Sequence, residues 1–334
     1  GPAGGSAPRQ PASAGRPIAR RRRRRPAAAV AAVLLVLLLA WPLGLALWAD
    51  GRIAHVEARS GAADTPGVTY LLAGSDSRAD AGIEDGTEGA RTDTIMLLHD
   101  PASGPAALIS LPRDAYVEIP DNGANKLNAA FSWGGPALLT RTVEQMTGLT
   151  VDHYVEVGFT GVEGVVDAVG GVELCLDYPV NDELSGLVWE QPGCRLADGR
   201  TALAFSRMRY SDPNGDIGRT QRQQQVIGAI TSAVTDPGVL VSPGKQASLV
   251  RAGTDALTTS EGTGIVDLGR LALAFRSATG PGGITGTPWL LSLDYRPGGV
   301  GSAVQLDDAR NAELWAGIRD GSLPAGVVGG VPGT

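Results

Sequence analysis

The 334-residue chain is poor in the side chains that most often hold soft metals or act as nucleophile and base. It has two cysteines, three histidines and three methionines. His55, His99 and His153 are scattered, and with Cys175 and Cys194 they form no metal-ligand spacing. No Gly-x-x-x-x-Gly-Lys-Ser/Thr loop and no Gly-x-Gly-x-x-Gly after a strand is present, so a nucleotide-binding fold has no support. No Gly-x-Ser-x-Gly elbow occurs, and no histidine sits in a motif that would serve a Ser-His-Asp triad. Acidic residues are also missing from the whole stretch before Asp50.

That stretch instead holds eight arginines, six of them in the run Arg20 to Arg25. Removing those eight from the 28 Lys+Arg leaves 20 against 35 Asp+Glu, so the remainder carries about −15. Such a surface repels nucleic acid, which is not expected as a partner. Residues 27–48 are apolar and uncharged, a length that crosses a bilayer core as one transmembrane helix. A cleavable signal peptide is the rival reading, and the length of the run favours an uncleaved anchor. With the arginines beside it, the positive-inside rule puts the N-terminus in the cytoplasm and everything after Trp48 outside. The expected location is therefore the cell membrane, single-pass, with an extracellular domain. On that oxidising side Cys175 and Cys194, nineteen apart and even in number, are expected to form a disulfide. The chain begins Gly1-Pro2 rather than with Met, as a trimmed terminus would.

The organisation follows. Residues 1–26 read as a disordered basic segment, 27–48 as the anchor, 49–66 as a stalk, 67–320 as one globular domain and 321–334 as a loose tail. Apolar runs predict strands at 68–72, 94–98, 107–111, 153–157, 172–176 and 288–294. Helices are expected at 126–131, 136–147, 162–169, 200–205, 216–235, 263–276 and 307–319. The alternation implies an α/β fold: a mixed central β-sheet covered by helices on both faces.

Polar signals sit at the ends of the first three strands, where α/β folds collect ligands. Asp76 and Arg78 follow the first, Arg91 and Asp93 precede the second, and Arg113 and Asp114 follow the third. If these strands are neighbours, Asp76, Arg91, Asp93 and Arg113 share one edge. A second basic cluster comprises Arg207, Arg209, Arg219, Arg222 and Gln223. Arg207 and Arg209 share a face of an extended segment, and Arg219 and Gln223 share a face of a helix. Taken singly, each is an ordinary turn residue or solvated charge, and Asp216 an ordinary helix cap. Together, two carboxylates and several arginines are what a metal–diphosphate site needs: oxygen ligands for Mg²⁺ and planar donor forks for phosphate.

The segments Leu72-Ala73-Gly74-Ser75-Asp76-Ser77-Arg78, Arg91-Thr92-Asp93-Thr94-Ile95-Met96-Leu97, Ser110-Leu111-Pro112-Arg113-Asp114, Lys126-Leu127-Asn128-Ala129-Ala130-Phe131 and Arg207 through Gln223 occur in one order. In these the chain resembles the LytR-CpsA-Psr family, and in composition an actinobacterial member of it. The resemblance implies a phosphotransferase that moves a glycopolymer from a polyprenyl-pyrophosphate carrier to peptidoglycan, forming a phosphodiester at a MurNAc hydroxyl. It implies that Asp76 and Asp93 hold Mg²⁺ (or Mn²⁺), and that Arg91, Arg113, Arg207, Arg209, Arg219 and Gln223 contact the diphosphate. Asp76, Asp93 and Arg113 are then the catalytic group, with Arg78, Asn128 and Asp216 secondary. It implies an apolar tunnel for the lipid, with Val162, Val165, Val166, Val226, Ile227 and Ile230 as candidates that would equally line a core. The family's frequent additional C-terminal domain is not expected. Two other readings use the same residues: a pyrophosphatase acting on the carrier, and a wall-polymer binding protein without turnover. The two aspartates favour catalysis, because a pure anion binder gains nothing from carboxylates beside phosphate.

Overall fold

A computed structural model of the protein describes residues 24–76, 91–208, 211 and 215–331. Contacts divide the chain into Gly1–Leu45 and Ala46–Thr334. After helix α1 (Arg24–Asp50) come β1 (Ala54–Val56), β2 (Val68–Asp76), β3 (Arg91–Asp100), β4 (Ala107–Leu111), β5 (Tyr116–Ile119), β6 (Gly123–Lys126), α2 (Leu127–Thr147), β7 (His153–Gly158) and α3 (Phe159–Val169). Then follow β8 (Val172–Leu176), β9 (Val180–Asp182), β10 (Leu187–Trp189), β11 (Gly193–Ala197), α4 (Gly199–Arg207), α5 (Gly215–Val234), α6 (Pro237–Leu240) and α7 (Pro243–Asp255). The chain closes with β12 (Leu257–Ser260), α8 (Ile265–Thr279), β13 (Ile284–Tyr295), β14 (Ala303–Leu306), α9 (Asp308–Arg319) and β15 (Gly326–Gly330).

The main sheet is mixed and nine-stranded, in the order β1-β12-β7-β2-β3-β4-β13-β14, with β15 also on β13. Strands β2 and β7 are parallel, β3 is antiparallel to both β2 and β4, and β4 is parallel to β13. Thus β2, β4, β7 and β13 all point one way.

Side-chain alternation assigns the faces. Leu71, Ala73, Ile95, Leu97, Ile109 and Leu111 face a core shared with Leu127, Leu139 and Val143 of α2 and Leu314 and Trp315 of α9. Tyr70, Leu98 and Ala106 face the other way, against Ala274 and Ala278 of α8. Helices therefore cover both faces, as the apolar strand runs require. A separate core joins α3, α4 and α5 to the small strands: Val166, Leu174, Trp189, Phe205 and Val226 are all buried there. Cys175 and Cys194 are directly opposite on β8 and β11 and form the expected disulfide.

The two helices expected around 126–147 are the two arms of α2, interrupted by non-helical backbone at Gly134 and Gly135, the latter with φ of 60°. Pro136 then opens the second arm, where its missing N–H costs no helical bond. Two expectations are corrected. Residues 49–66 are not a free stalk: β1 pairs with β12, and Ile53 and Ala58 are buried. Nor is the tail loose, because β15 runs parallel to β13 with Ile284 opposite Gly326. In both cases the backbone groups find a neighbouring strand, and local composition does not register that. The expected bilayer span lies within α1. Among the described residues, which leave out several α1 side chains, no helix is long and apolar enough to cross a membrane.

Candidate functional site

The candidate residues gather at the carboxyl ends of β2, β4 and β7, the usual ligand edge of an open α/β sheet. Asp76 and Arg91 are direct Cα partners across β2 and β3. Ser75 pairs with Thr92 and Gly74 with Thr94, so Asp93 is the extra residue of a β-bulge. A bulge re-aims a side chain and recurs beside functional sites. One strand further on, Ile95 pairs with Leu111. Arg113 stands in the turn two residues beyond Leu111, and Asp93 two residues before Ile95, so both lie past this end of the β3–β4 ladder. The backbone thus brings Asp76, Arg91, Asp93 and Arg113 to one edge.

Two helices start at the same edge. The Asn128 N–H of α2 donates to the Arg113 carbonyl at 3.0 Å, and the Leu127 N–H to the Ala115 carbonyl at 2.8 Å. This fixes the Arg113 turn to the first turn of α2 through the backbone of Leu127 and Asn128. Helix α3 begins directly after β7, whose Gly158 is level with Ser75 of β2. Helix N-termini carry unpaired N–H groups and a partial positive charge, which suit phosphate. Asp114 holds the turn from the other side, with Lys126 Nζ at 2.9 Å and Arg113 Nε at 3.4 Å. The Arg113 side chain remains exposed.

The second cluster sits on the other core. Arg207 is the exposed last residue of α4, and Asp216, Arg219 and Gln223 lie on α5. Arg78 and Arg209 lie outside the described residues, as do the side chains of Asp76, Arg91, Asp93, Asp216, Arg219 and Gln223. The acidic segment 79–90 is outside them too.

Arg222 had no assigned role in the sequence pattern. It is only 5% exposed. Its Nε donates to the Phe205 carbonyl at 3.0 Å, and a second nitrogen donates to the Met208 carbonyl. It therefore ties the end of α4, where Arg207 stands, to α5. Burial lowers its pKa, with Tyr178 and Asp182 working the other way. The signal available in the sequence was its spacing. On a helix Arg222 and Val226 are i, i+4 and share a face, and Val226 is a core residue.

Of the tunnel candidates, Val166 and Val226 are buried in the α3–α4–α5 core, while Ile227 is 62% exposed. Val162 and Ile230 pack against that core.

The LytR_cpsA_psr family model matches residues 49–277. The chain belongs to the LytR_cpsA_psr family. The matched segment takes in every candidate residue, while β13, β14, α9 and β15 complete the sheet beyond it. The probable cell wall biosynthesis protein LcpB of Corynebacterium glutamicum is 42% identical over 286 residues, covering 82% of this chain and 67% of that protein. The polyisoprenyl-teichoic acid–peptidoglycan teichoic acid transferase TagU of Enterococcus faecalis is 37% identical over 220 residues, covering 64% of this chain and 67% of that one. Among solved structures, TagT bound to LI-WTA is similar with a TM-score of 0.53 and 27% identity, over 80% of this chain and 99% of that chain. The LytR-Csp2A-Psr enzyme from Actinomyces oris shares the fold, with a TM-score of 0.57 and 22% identity over 79% of this chain and 95% of that one.

Proposed function

We propose that this LytR_cpsA_psr protein is a membrane-anchored glycopolymer–peptidoglycan transferase. It moves a glycopolymer from a polyprenyl-pyrophosphate carrier to peptidoglycan and leaves a phosphodiester at a MurNAc hydroxyl. The observation that carries the reading is the pairing that sets Asp76 opposite Arg91 and bulges Asp93, at the sheet end where the Arg113 turn follows β4, in a chain of this family. The similarity to TagU, named as a teichoic acid transferase, supports the same class of reaction here.

In this reading Arg91 and Arg113, with Arg207, Arg209, Arg219 and Gln223 from the α4–α5 side, hold the diphosphate. The start of α3 adds its N–H groups. The acceptor hydroxyl oxygen bonds to the phosphorus that carries the glycan. The bond from that phosphorus to the bridging oxygen breaks, and polyprenyl phosphate departs with the electron pair. The hydroxyl proton passes to a neighbouring carboxylate or to solvent. Arginines at the departing phosphate stabilise the charge that builds there. Asp76 and Asp93, hard oxygen donors on neighbouring strands, fit Mg²⁺ or Mn²⁺, which keeps few protein ligands and completes its shell with phosphate and water. Among the described residues no group of three or more His, Cys, Asp and Glu gathers as a rival metal site. A bound ion would supply further neutralisation of the phosphates.

The anchor is part of the same proposal. Residues 27–48 are uncharged, and α1 exposes Val30, Val33, Leu35, Val36, Leu39 and Leu43 around its circumference. A helix apolar all round suits lipid. The N-terminal arginines would then stay cytoplasmic and the sheet domain would face the wall.

The test uses the full chain in detergent with a polyprenyl-pyrophosphate glycan, Mg²⁺ and a peptidoglycan acceptor. Glycan attachment and release of polyprenyl phosphate are both followed. Asp93→Ala and Arg113→Ala are each expected to slow attachment by about 10²-fold or more. Carrier cleavage without attachment would make the protein a pyrophosphatase, and carrier binding without turnover a polymer-binding protein.

A further inference from the structure

A groove of about 640 Å³ runs between α2, the β5–β6 hairpin and α9. Its volume is that of a small-molecule or oligomer subsite. Tyr116, Glu118, Gln145, Asp308, Trp315 and Arg319 line it. Tyr116 packs edge-on against Tyr295, with ring centroids 5.6 Å apart.

The groove comes nearest to the candidate edge at Tyr116. Tyr116 follows Arg113 by three positions, and the intervening turn is pinned to α2 by the Arg113 and Ala115 carbonyls. Val304 N–H bonds the Asp114 carbonyl at 2.8 Å, so the strand leading into α9 is pinned to the same turn. From there the groove extends to Gly148, which ends α2, and to Arg319, which ends α9. These lie towards the opposite end of the sheet, where β7 begins.

The lining chemistry selects the occupant. Trp315 belongs to the core floor of the groove, and the half-buried Tyr116 ring offers an apolar face to the C–H side of a sugar ring. Carboxylates, an amide and a guanidinium offer the paired donors and acceptors that hydroxyl and acetamido groups need. Glu118 and Asp308 are exposed, and Arg319 is already engaged by Asp320 at 3.0 Å. A phosphate-bearing polymer would meet two carboxylates here, and an aliphatic chain would strand them without partners. A non-phosphorylated amino-sugar strand meets neither obstacle.

We infer that this groove is the subsite for the acceptor glycan, a strand of N-acetylated amino sugars laid along α2 and α9 with its reacting hydroxyl at the Arg113 edge. The inference rests on the transferase reading for its orientation, while binding itself is measured without transfer.

The probe is a short soluble peptidoglycan glycan fragment, titrated into the full chain in detergent by calorimetry. Glu118→Gln and Asp308→Asn keep shape and remove charge at exposed positions. Each is expected to weaken fragment binding by roughly tenfold, the loss of one or two hydrogen bonds to a charged group. In the transfer assay both should raise KM for the acceptor and leave kcat and acceptor-free carrier cleavage unchanged. Fragment binding absent in the unaltered protein, or equal in the variants, overturns the groove. Carrier cleavage falling in step with transfer overturns it too. Should the fragment bind and the variants lose it while no glycan is ever transferred, the groove stands and the transferase reading falls. Transfer that proceeds with unaltered acceptor KM in both variants overturns the groove and leaves the transferase reading standing.

Discussion

Arg222 shows how a buried side chain can position the candidate arginines around it. Its guanidinium is turned inward, onto the Phe205 and Met208 carbonyls that end α4. Arg207 precedes Met208, and Arg219 is one helical turn away on α5, so both flanking arginines depend on that clasp for position. Lysine keeps the charge but cannot serve two carbonyls with a rigid fork. Arg222→Lys is expected to lower kcat for transfer by about tenfold or more while the KM for acceptor stays put, measured where both proteins are folded. Arg222→Met leaves two buried carbonyls unpaired and should cost about 1–3 kcal/mol of stability as well. A drop in melting temperature in both variants with unchanged turnover would reduce Arg222 to a structural role.

At the scale of elements, the β8–β11 ribbon and its disulfide form the floor beneath α5. Gln225 of α5 accepts from the Cys175 N–H at 3.2 Å, and Trp189, Phe205 and Val226 are buried together above the ribbon. Arg195 lies over the Trp189 ring at 3.8 Å and shields it. The bond closes a loop of nineteen residues, for which the chain-entropy account gives about 3 kcal/mol. Replacing both cysteines by serine should therefore lower the melting temperature measurably, and reduction of the unaltered protein should reproduce the shift. The β3 bulge works at this scale as well. It takes one residue, Asp93, out of the regular pairing at the end of the sheet where Asp76 meets Arg91.

For the whole molecule, the buried His99 and the half-buried His153 make stability depend on pH on the acid side. His99 is 1% exposed and its Nδ1 lies 2.9 Å from the Thr69 hydroxyl. Its Nε2 is buried with no hydrogen-bond partner among the described residues. Desolvation is the main cause that lowers its pKa, and the nearby Arg319 backbone offsets only part of this without bonding Nε2. His153 is lowered for the same first reason. When pH falls below the ordinary histidine range, near 6.5, the unfolded chain takes up protons that the folded chain resists. Stability is thus complete above that range and declines as pH drops through it. The melting temperature should fall from pH 7.5 to 5.5, and His99→Asn should flatten that fall. An equal pH slope in the variant would remove His99 from the account.

Much of this was legible because it is local. Strands β4 and β8 have the expected bounds, since short apolar runs between turn residues leave little freedom. The candidates Asp76, Arg91, Asp93 and Arg113 were legible because they stand at or beside strand ends, where residue type signals the turn, whereas Arg207, Arg219 and Gln223 lie on α4 and α5. The β5–β6 hairpin was missed although Asp121-Asn122-Gly123 carries a hairpin signal, with Asp121 at φ 65° and Gly123 at φ 76°. Strands β1, β12, β14 and β15 had no such signal. They are three to five residues long and exist because a neighbouring strand offers its free edge. By itself the sequence determined the α/β alternation, the order of the family segments, the cysteine pair and the apolar run of α1, because all are set by residue type and spacing. Only the tertiary structure decided that Arg91 stands opposite Asp76, that Arg222 faces inward and that a groove lies between α2 and α9. Strand order and register depend on pairings between residues far apart in the chain, and no local pattern encodes them.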